Sequence, residues 1–263
     1  MASEATFYAD HWLVIEDERF ERYRRMFVWR DEQAPLIAPL ELAPGLRVLD
    51  FGCGPGYLTE ELARRVGSAG RACGADLNAR FVADANRRAE WIPNLSYVHL
   101  DGERLPFAGA SFDRVLAKNV LEYVPDLDGT LRELRRVLAP GGRVHTIDSD
   151  WGFVIVEPWS RATTERVFAA AAPAYREPLV GRKLAGALVA AGFKNVDVRI
   201  VATPDRRGGS LAVMRNTASY VKALGRIPHA EMDSLIAELE LAVESGGYLF
   251  VLPQFLVTAT TEG

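Results

Sequence analysis

The segment Val48-Leu49-Asp50-Phe51-Gly52-Cys53-Gly54-Pro55-Gly56 places an acidic residue inside an apolar run and follows it with three alternating glycines. Glycines let backbone N–H groups approach a ligand closely, and a helix starting here adds a positive partial charge, so the turn suits a carboxylate. A dinucleotide site uses the same physics. Its fingerprint needs a glycine or alanine as the third small residue, yet counting from Gly52 that position is Tyr57, and from Gly54 it is Thr59. Both registers fail. Further carboxylates close later apolar runs: Asp76 in Gly74-Ala75-Asp76-Leu77-Asn78, Asp101 before Gly102, and Asp148 with Asp150 before Trp151. Four histidines, His11, His99, His145 and His229, are the candidate bases.

The elements that must position these groups alternate. Leu46 to Asp50, Arg71 to Asp76, Leu95 to His99, Phe112 to Ala117 and Arg143 to Asp148 read as strands. Helical spacings separate them: Leu58, Leu62 and Val66; residues 79–89; and Leu127, Leu131, Leu134 and Leu138, stopped by Pro140-Gly141-Gly142. Strands alternating with amphipathic helices predict an α/β fold, a Rossmann-like doubly wound sheet, because each parallel crossover must return over the sheet. The sheet is expected to be mostly parallel with an antiparallel terminal strand. Val196 to Ala202 reads as a half-exposed edge, and Tyr248 to Thr260, interrupted by Pro253, as an outer antiparallel strand. Helices are predicted over 7–42, 184–191, 209–224 and 229–245. The expected division is a helical lid in 1–43, a core in 44–150, and cap insertions plus sheet-completing strands in 151–263.

The ordered set of motifs resembles the class I S-adenosylmethionine-dependent methyltransferases over roughly residues 45–150, and within them the small-molecule branch that includes the ubiquinone and menaquinone methyltransferases. The resemblance implies S-adenosyl-L-methionine as cofactor, with S-adenosyl-L-homocysteine as product. It implies that Asp76 grips the ribose hydroxyls beside Leu77, that Asp101 accepts the adenine amino group beside Gly102, and that Gly52, Gly54, Gly56 and Lys118 complete the cofactor site. Asp50 either contacts the methionine part directly or holds the turn by accepting backbone N–H bonds. Phe112-Asp113-Arg114-Val115, Asn119 through Asp126, and Leu138-Ala139-Pro140-Gly141-Gly142 extend the match. One departure is Tyr123, which stands where many relatives have histidine, so no imidazole role carries over. Lys118-Asn119-Val120-Leu121 replaces the N-P-P-Y-like tetrapeptide of exocyclic-amine nucleic-acid methylation.

Catalytic candidates are His11 in the lid and Asp148 at the ligand-binding edge of the sheet. Arg30, with Trp29, is a candidate for the cofactor carboxylate; an ordinary surface helix explains the pair equally well. His99 and His145 fall in strands expected to be buried and read as structural. Tyr8, Trp12, Trp151, Phe153, Trp159 and Tyr175 are the aromatic rings available to wall an acceptor pocket.

Composition narrows the partners. The 263 residues carry 31 basic and 35 acidic side chains, a formal charge of -4, with no dense Lys/Arg tract, which argues against nucleic acid. Cys53 and Cys73 show no metal spacing, so no metal is expected, and a reduced, cytoplasmic setting fits them. No membrane span is expected, and oligomeric state is open. The expected activity is methyl transfer to an O, N or C atom of a small organic acceptor by in-line displacement. The alternatives are a fold relative that binds the same cofactor for cyclisation or decarboxylation, and a noncatalytic scaffold homologue.

Overall fold

Successive residues of the first strand, β1 (Arg47–Phe51), are buried on opposite sides: Leu49 faces one apolar cluster and Val48 another. Only a strand covered on both faces has this pattern. The computed structural model describes residues 6–102 and 104–263, and shows β1 in the middle of a seven-stranded sheet. It pairs in parallel with β2 (Arg71–Asp76) and β4 (Phe112–Lys118); β3 (Leu95–His99) lies outside β2, and β5 (Leu138–Ser149) outside β4. The crossover helices α4 (Tyr57–Val66) and α5 (Ala79–Ala89) cover one face, and α6 (Leu127–Val137) with α8 (Val180–Ala190) the other. Side chains cap two of them: Asn78 accepts the Phe81 N–H ahead of α5, and Asp126 the Gly129 N–H ahead of α6.

Before the sheet, α1 (Phe7–Leu13) and α2 (Asp17–Met26) lie over the carboxyl ends of the strands, where Phe20 and Tyr23 pack on Phe81 of α5, and the short α3 (Ala34–Ile37) packs Ile37 on the sheet face that α4 and α5 cover. After β5, the strand β6 (Ile155–Glu157) and helices α7 (Arg161–Ala171), α9 (Leu211–Ala223) and α10 (His229–Ser245) share a separate apolar cluster with β8 (Leu249–Val251), the partner of β6. No described helix is long and apolar enough to cross a membrane.

The end of the chain departs from its reading. The last strand, β9 (Gln254–Thr260), is antiparallel as expected but lies between β5 and the edge strand β7 (Lys194–Val201) rather than outside the sheet. Pro253 falls between β8 and β9, so it removes no ladder hydrogen bond and β9 can be central. β7 is the true edge, with Ile200 58% exposed. Another correction concerns Pro140-Gly141-Gly142. The helix stops earlier, at Val137, and the tripeptide belongs to β5, where the register with β4 slips between Phe112 and Arg114.

His145 and His99 part company. His145 on β5 is fully buried, bonded to the Thr258 hydroxyl on β9 at 2.9 Å and the Leu36 carbonyl at 2.7 Å. His99 at the tip of β3 is exposed, correcting its expected burial, and its Nε2 meets the Leu77 carbonyl at 3.0 Å. Burial lowers the pKa of His145 from 6.5 to about 4. A depressed histidine pKa means the unfolded chain binds the extra proton, so the stability from neutral His145 is present above pH 6.5 and is lost as pH falls toward 4. The two values set that loss at about 3 kcal/mol. In denaturant titrations of wild type and His145→Gln, the stability gap should therefore narrow by roughly that amount between about pH 7 and pH 4; a gap independent of pH contradicts the assignment.

Candidate active site

The turn between β1 and α4 is tied to the tip of β2. Gly52 and Cys53 donate their N–H groups to the Ala75 carbonyl at 2.8 and 3.2 Å, and Gly54 donates to Asp76 Oδ2 at 2.7 Å. Two glycines are required sterically. A Cβ on Gly52, whose φ is +71°, would sit 2.3 Å from a Val120 methyl; on Gly56, at φ +85°, it would sit 2.5 Å from the Tyr97 ring. Gly56 starts α4 beneath Tyr97, whose hydroxyl donates to the Gly56 carbonyl at 2.7 Å, and it does not reach the cavity. Its part is to bend the chain. Gly52 and Gly54 are on the wall, and nothing lies within 4 Å of a Cβ placed on Gly54.

The cavity above these strand tips has a volume of about 910 Å³. At one end lie Asp76, Leu77, His99, Asp101 and Gly102. Asp76 is oriented by backbone groups on both oxygens, since Asn78 N–H reaches Oδ1 at 2.8 Å while Gly54 holds Oδ2. Burial raises its pKa, opposed by those two hydrogen bonds. Asp50 is buried in the wall, where its Oδ2 accepts the Thr59 hydroxyl of α4 at 2.6 Å. Burial lifts its pKa to about 6, against the Thr59 bond and the charge of Lys118.

The opposite end is aromatic. Trp12 of α1, Tyr123, Trp151 and Tyr175 line it, with Asn216 and Thr217 of α9. Glu122, which follows β4, is buried there and accepts a hydrogen bond from Trp151 Nε1 at 2.8 Å. Burial pushes its carboxyl to about 7, opposed by Trp151 and Tyr123. Lys118, at the end of β4, also lines the cavity; burial lowers its pKa while Asp50 and Asp148 favour its charge.

Several sequence candidates lie elsewhere. Asp148 is fully buried and stops short of the cavity wall; neither carboxylate oxygen has a hydrogen-bond partner, the N–H groups of Leu121 and Glu122 approaching without bonding geometry. Burial first, then the charge of Glu122, raises its pKa well above the carboxylate range. His11 is separated from the cavity by one ring, packed 5.8 Å from Tyr123 and 4.8 Å from Tyr220, and lines a smaller recess of about 400 Å³. Its Nδ1 bonds the Phe7 carbonyl, Nε2 has no partner, and burial lowers its pKa to about 4. Arg30 is exposed and off the wall, although Trp29 is on it. Of the aromatic candidates, Tyr8, Phe153 and Trp159 do not line the cavity. Glu122 was missed because no spacing marks it; its burial depends on Trp151, 29 residues away. Among the described residues no three His, Cys, Asp or Glu side chains are grouped to hold a metal.

The sheet order, with β9 antiparallel between β5 and β7, is the fold of the class I methyltransferases. A phosphoethanolamine N-methyltransferase 2 from Haemonchus contortus, in complex with phosphomonomethylethanolamine and S-adenosylhomocysteine, superposes with a TM-score of 0.67 at 17% identity, covering 100% of this chain and 61% of that one. The [4+2]-cyclase SpnF shares the fold at a TM-score of 0.57 and 21% identity, over 88% of this chain and 80% of its own. Residues 49–146 match the family described as Methyltransferase domain. It resembles the 2-phytyl-1,4-naphtoquinone methyltransferase of Thermosynechococcus vestitus, 40% identical over 41% of this chain and 48% of that protein. A longer match is to an uncharacterized 37.1 kDa protein in transposon TN4556 of Streptomyces fradiae, 33% identical over 76% of this chain and 59% of the relative. The chain thus spans about half the length of the relatives it matches.

The Asp50–Thr59 bond gives a direct test of the turn. Thr59→Val keeps the shape of the side chain and removes the donor, leaving a buried carboxylate oxygen unpaired, so it should cost about 1.5–3 kcal/mol at neutral pH. Chemical denaturation measures this; an unchanged midpoint would show that the bond does not support the turn.

Proposed function

We propose that the chain transfers a methyl group from S-adenosyl-L-methionine to an O, N or C atom of a small organic acceptor. The observation that carries this reading is the placement of Asp76 and Asp101 on neighbouring strand tips along one wall of a cavity that also contains the glycine turn. The donor set fits the cofactor. Asp76, already oriented by Gly54 and Asn78, presents a carboxylate to the ribose hydroxyls, with Leu77 beside it. Asp101 and Gly102 serve the adenine edge. The N-terminus of α4 and the open face of Gly54 offer positive partial charge to the methionyl carboxylate. The family match in 49–146 and the naphthoquinone methyltransferase among the relatives support the same assignment.

When bound, the cofactor supplies an activated methyl group on a sulfonium. The chain's own residues then have to bind the acceptor, align its nucleophile with that methyl for in-line displacement, and keep water out. Trp12, Tyr123, Trp151 and Tyr175 give an apolar wall for a modest-sized acceptor, and α1, α2 and the cap close over it. A medium of low polarity favours displacement, because the positive charge is dispersed in the transition state and then discharged.

Methyl-labelled cofactor distinguishes this reading from its rival. Label recovered in an acceptor supports transfer; turnover of an acceptor with all label retained on the cofactor would assign a reaction such as cyclisation instead. Calorimetry tests the ribose grip: Asp76→Ala should weaken S-adenosylhomocysteine binding roughly 10- to 100-fold, the worth of a hydrogen-bonded charge. Unchanged affinity in a folded variant removes Asp76 from the site.

A further inference from the structure

A hydroxyl must lose its proton as it gains a methyl group, and an amine that gains one is left as an ammonium with a proton to shed; the acceptor end of the cavity contains one carboxyl group placed to take it. Glu122 is 3% exposed, lines the cavity, and is anchored on both its main chain and its side chain. Its carbonyl accepts the N–H groups of Arg176 and Glu177 at 2.9 and 3.0 Å, and its Oε2 accepts Trp151 Nε1 at 2.8 Å. Trp151 is itself held between rings, with its centroid 5.4 Å from Phe168 and 5.1 Å from Tyr175. The carboxyl group therefore has a fixed position among the aromatic side chains that would surround an acceptor.

We propose that Glu122 accepts the proton released by the acceptor's nucleophile, and that Trp151 is the positioning residue that holds the carboxylate in place and favours its ionised form. The proposal rests on the methyltransferase reading above. In the step, an electron pair on the acceptor's oxygen or nitrogen would form the bond to the methyl carbon while the methyl–sulfur bond breaks with its electrons left on sulfur. A hydroxyl's O–H bond breaks toward a Glu122 carboxylate oxygen as this happens, and an amine's N–H bond breaks toward it from the methylated ammonium, the N–H electrons staying on nitrogen. The proton leaves Glu122 for solvent when the site opens.

The groups around Glu122 are consistent with this exchange. From β5, Asp148 is buried without a hydrogen bond, and burial together with the charge of Glu122 raises its pKa, which disfavours a second negative charge beside Glu122. From β4, Lys118 faces Asp148 and Asp50. Tyr123 and Tyr175 are the neighbouring phenols, both raised far above neutrality by burial. The side chains of Arg176 and Glu177 turn away, to the Pro125 carbonyl and to Lys183. Of the carboxyls raised by burial, Asp50 is bonded to Thr59 and Asp148 stops short of the cavity wall, so Glu122, raised to about 7, is the one that lines the aromatic end.

The test combines infrared spectroscopy of the full chain with turnover. The carbonyl band of one buried protonated carboxyl should disappear as pH rises through about 7. It should be missing in Glu122→Gln, and in Trp151→Phe its midpoint should move upward by roughly one unit, because the hydrogen bond that favours the ionised form is gone. With methyl-labelled cofactor and 1,4-naphthohydroquinone or aniline as probe, Glu122→Gln should lose roughly 10²- to 10⁴-fold in turnover while keeping wild-type affinity for S-adenosylhomocysteine. The pH profile of Trp151→Phe should move with its infrared midpoint. Wild-type titration in Glu122→Gln, an unmoved midpoint in Trp151→Phe, or full turnover by Glu122→Gln each overturns the proposal. Wild-type protein that binds no S-adenosylhomocysteine overturns the methyltransferase reading instead, a result the infrared titration does not share.

Discussion

The hydrogen bond from the Gly54 N–H to Asp76 joins the turn after β1 to the tip of β2, and the rest of the site is arranged around it. A half-buried carboxylate is costly unless its oxygens are paired, and backbone N–H groups pair both. The group is therefore oriented before any ligand arrives, which removes an ordering cost from binding. The same bond fixes the turn against β2, and Val120 packed at Gly52 fixes it from the β4 side. Loop, strand tips and helix N-terminus thus form one rigid wall.

Burial dominates the electrostatics of the cavity. It raises Asp50 to about 6 and Glu122 to about 7, and it lowers Lys118. For both carboxyls the folded pKa is above the unfolded one, so the native state binds the extra proton and their ionisation opposes folding as pH rises from 3.8 to about 6 for Asp50 and from 4.5 to about 7 for Glu122. His11 and His145 act in the opposite direction over the acid range, each lowered to about 4. The site carries strain that an apolar packing would avoid, and such perturbed groups collect where chemistry needs them.

The part of the site nearest the glycine turn was legible because it is local. Asp50, the alternating glycines, Asp76 and Asp101 each end a strand, and parallel pairing brings those ends together with no further information. The acceptor end was not legible in that way. Glu122 gains its environment from Trp151 after the next strand, and from Tyr175, Asn216 and Thr217 in a cap whose helices have no motif spacing. The same limit explains the misplaced elements. β9 reads as an outer strand by its proline, and only the pairing of β7 beyond it makes it internal. His99 reads as buried by its strand, but it sits at the tip, where the sheet opens to the cavity.

The central claim is that the wall built on Asp76, Asp101 and the glycine turn holds an adenosyl-sulfur compound, leaving the aromatic end for an acceptor. A crystal structure of the chain grown with S-adenosylhomocysteine tests it directly. The account predicts ribose density against Asp76, the adenine at Asp101 and Gly102, and the sulfur directed toward Glu122 and Trp151. Density for the compound outside this cavity, or a ribose placed away from Asp76, would contradict it.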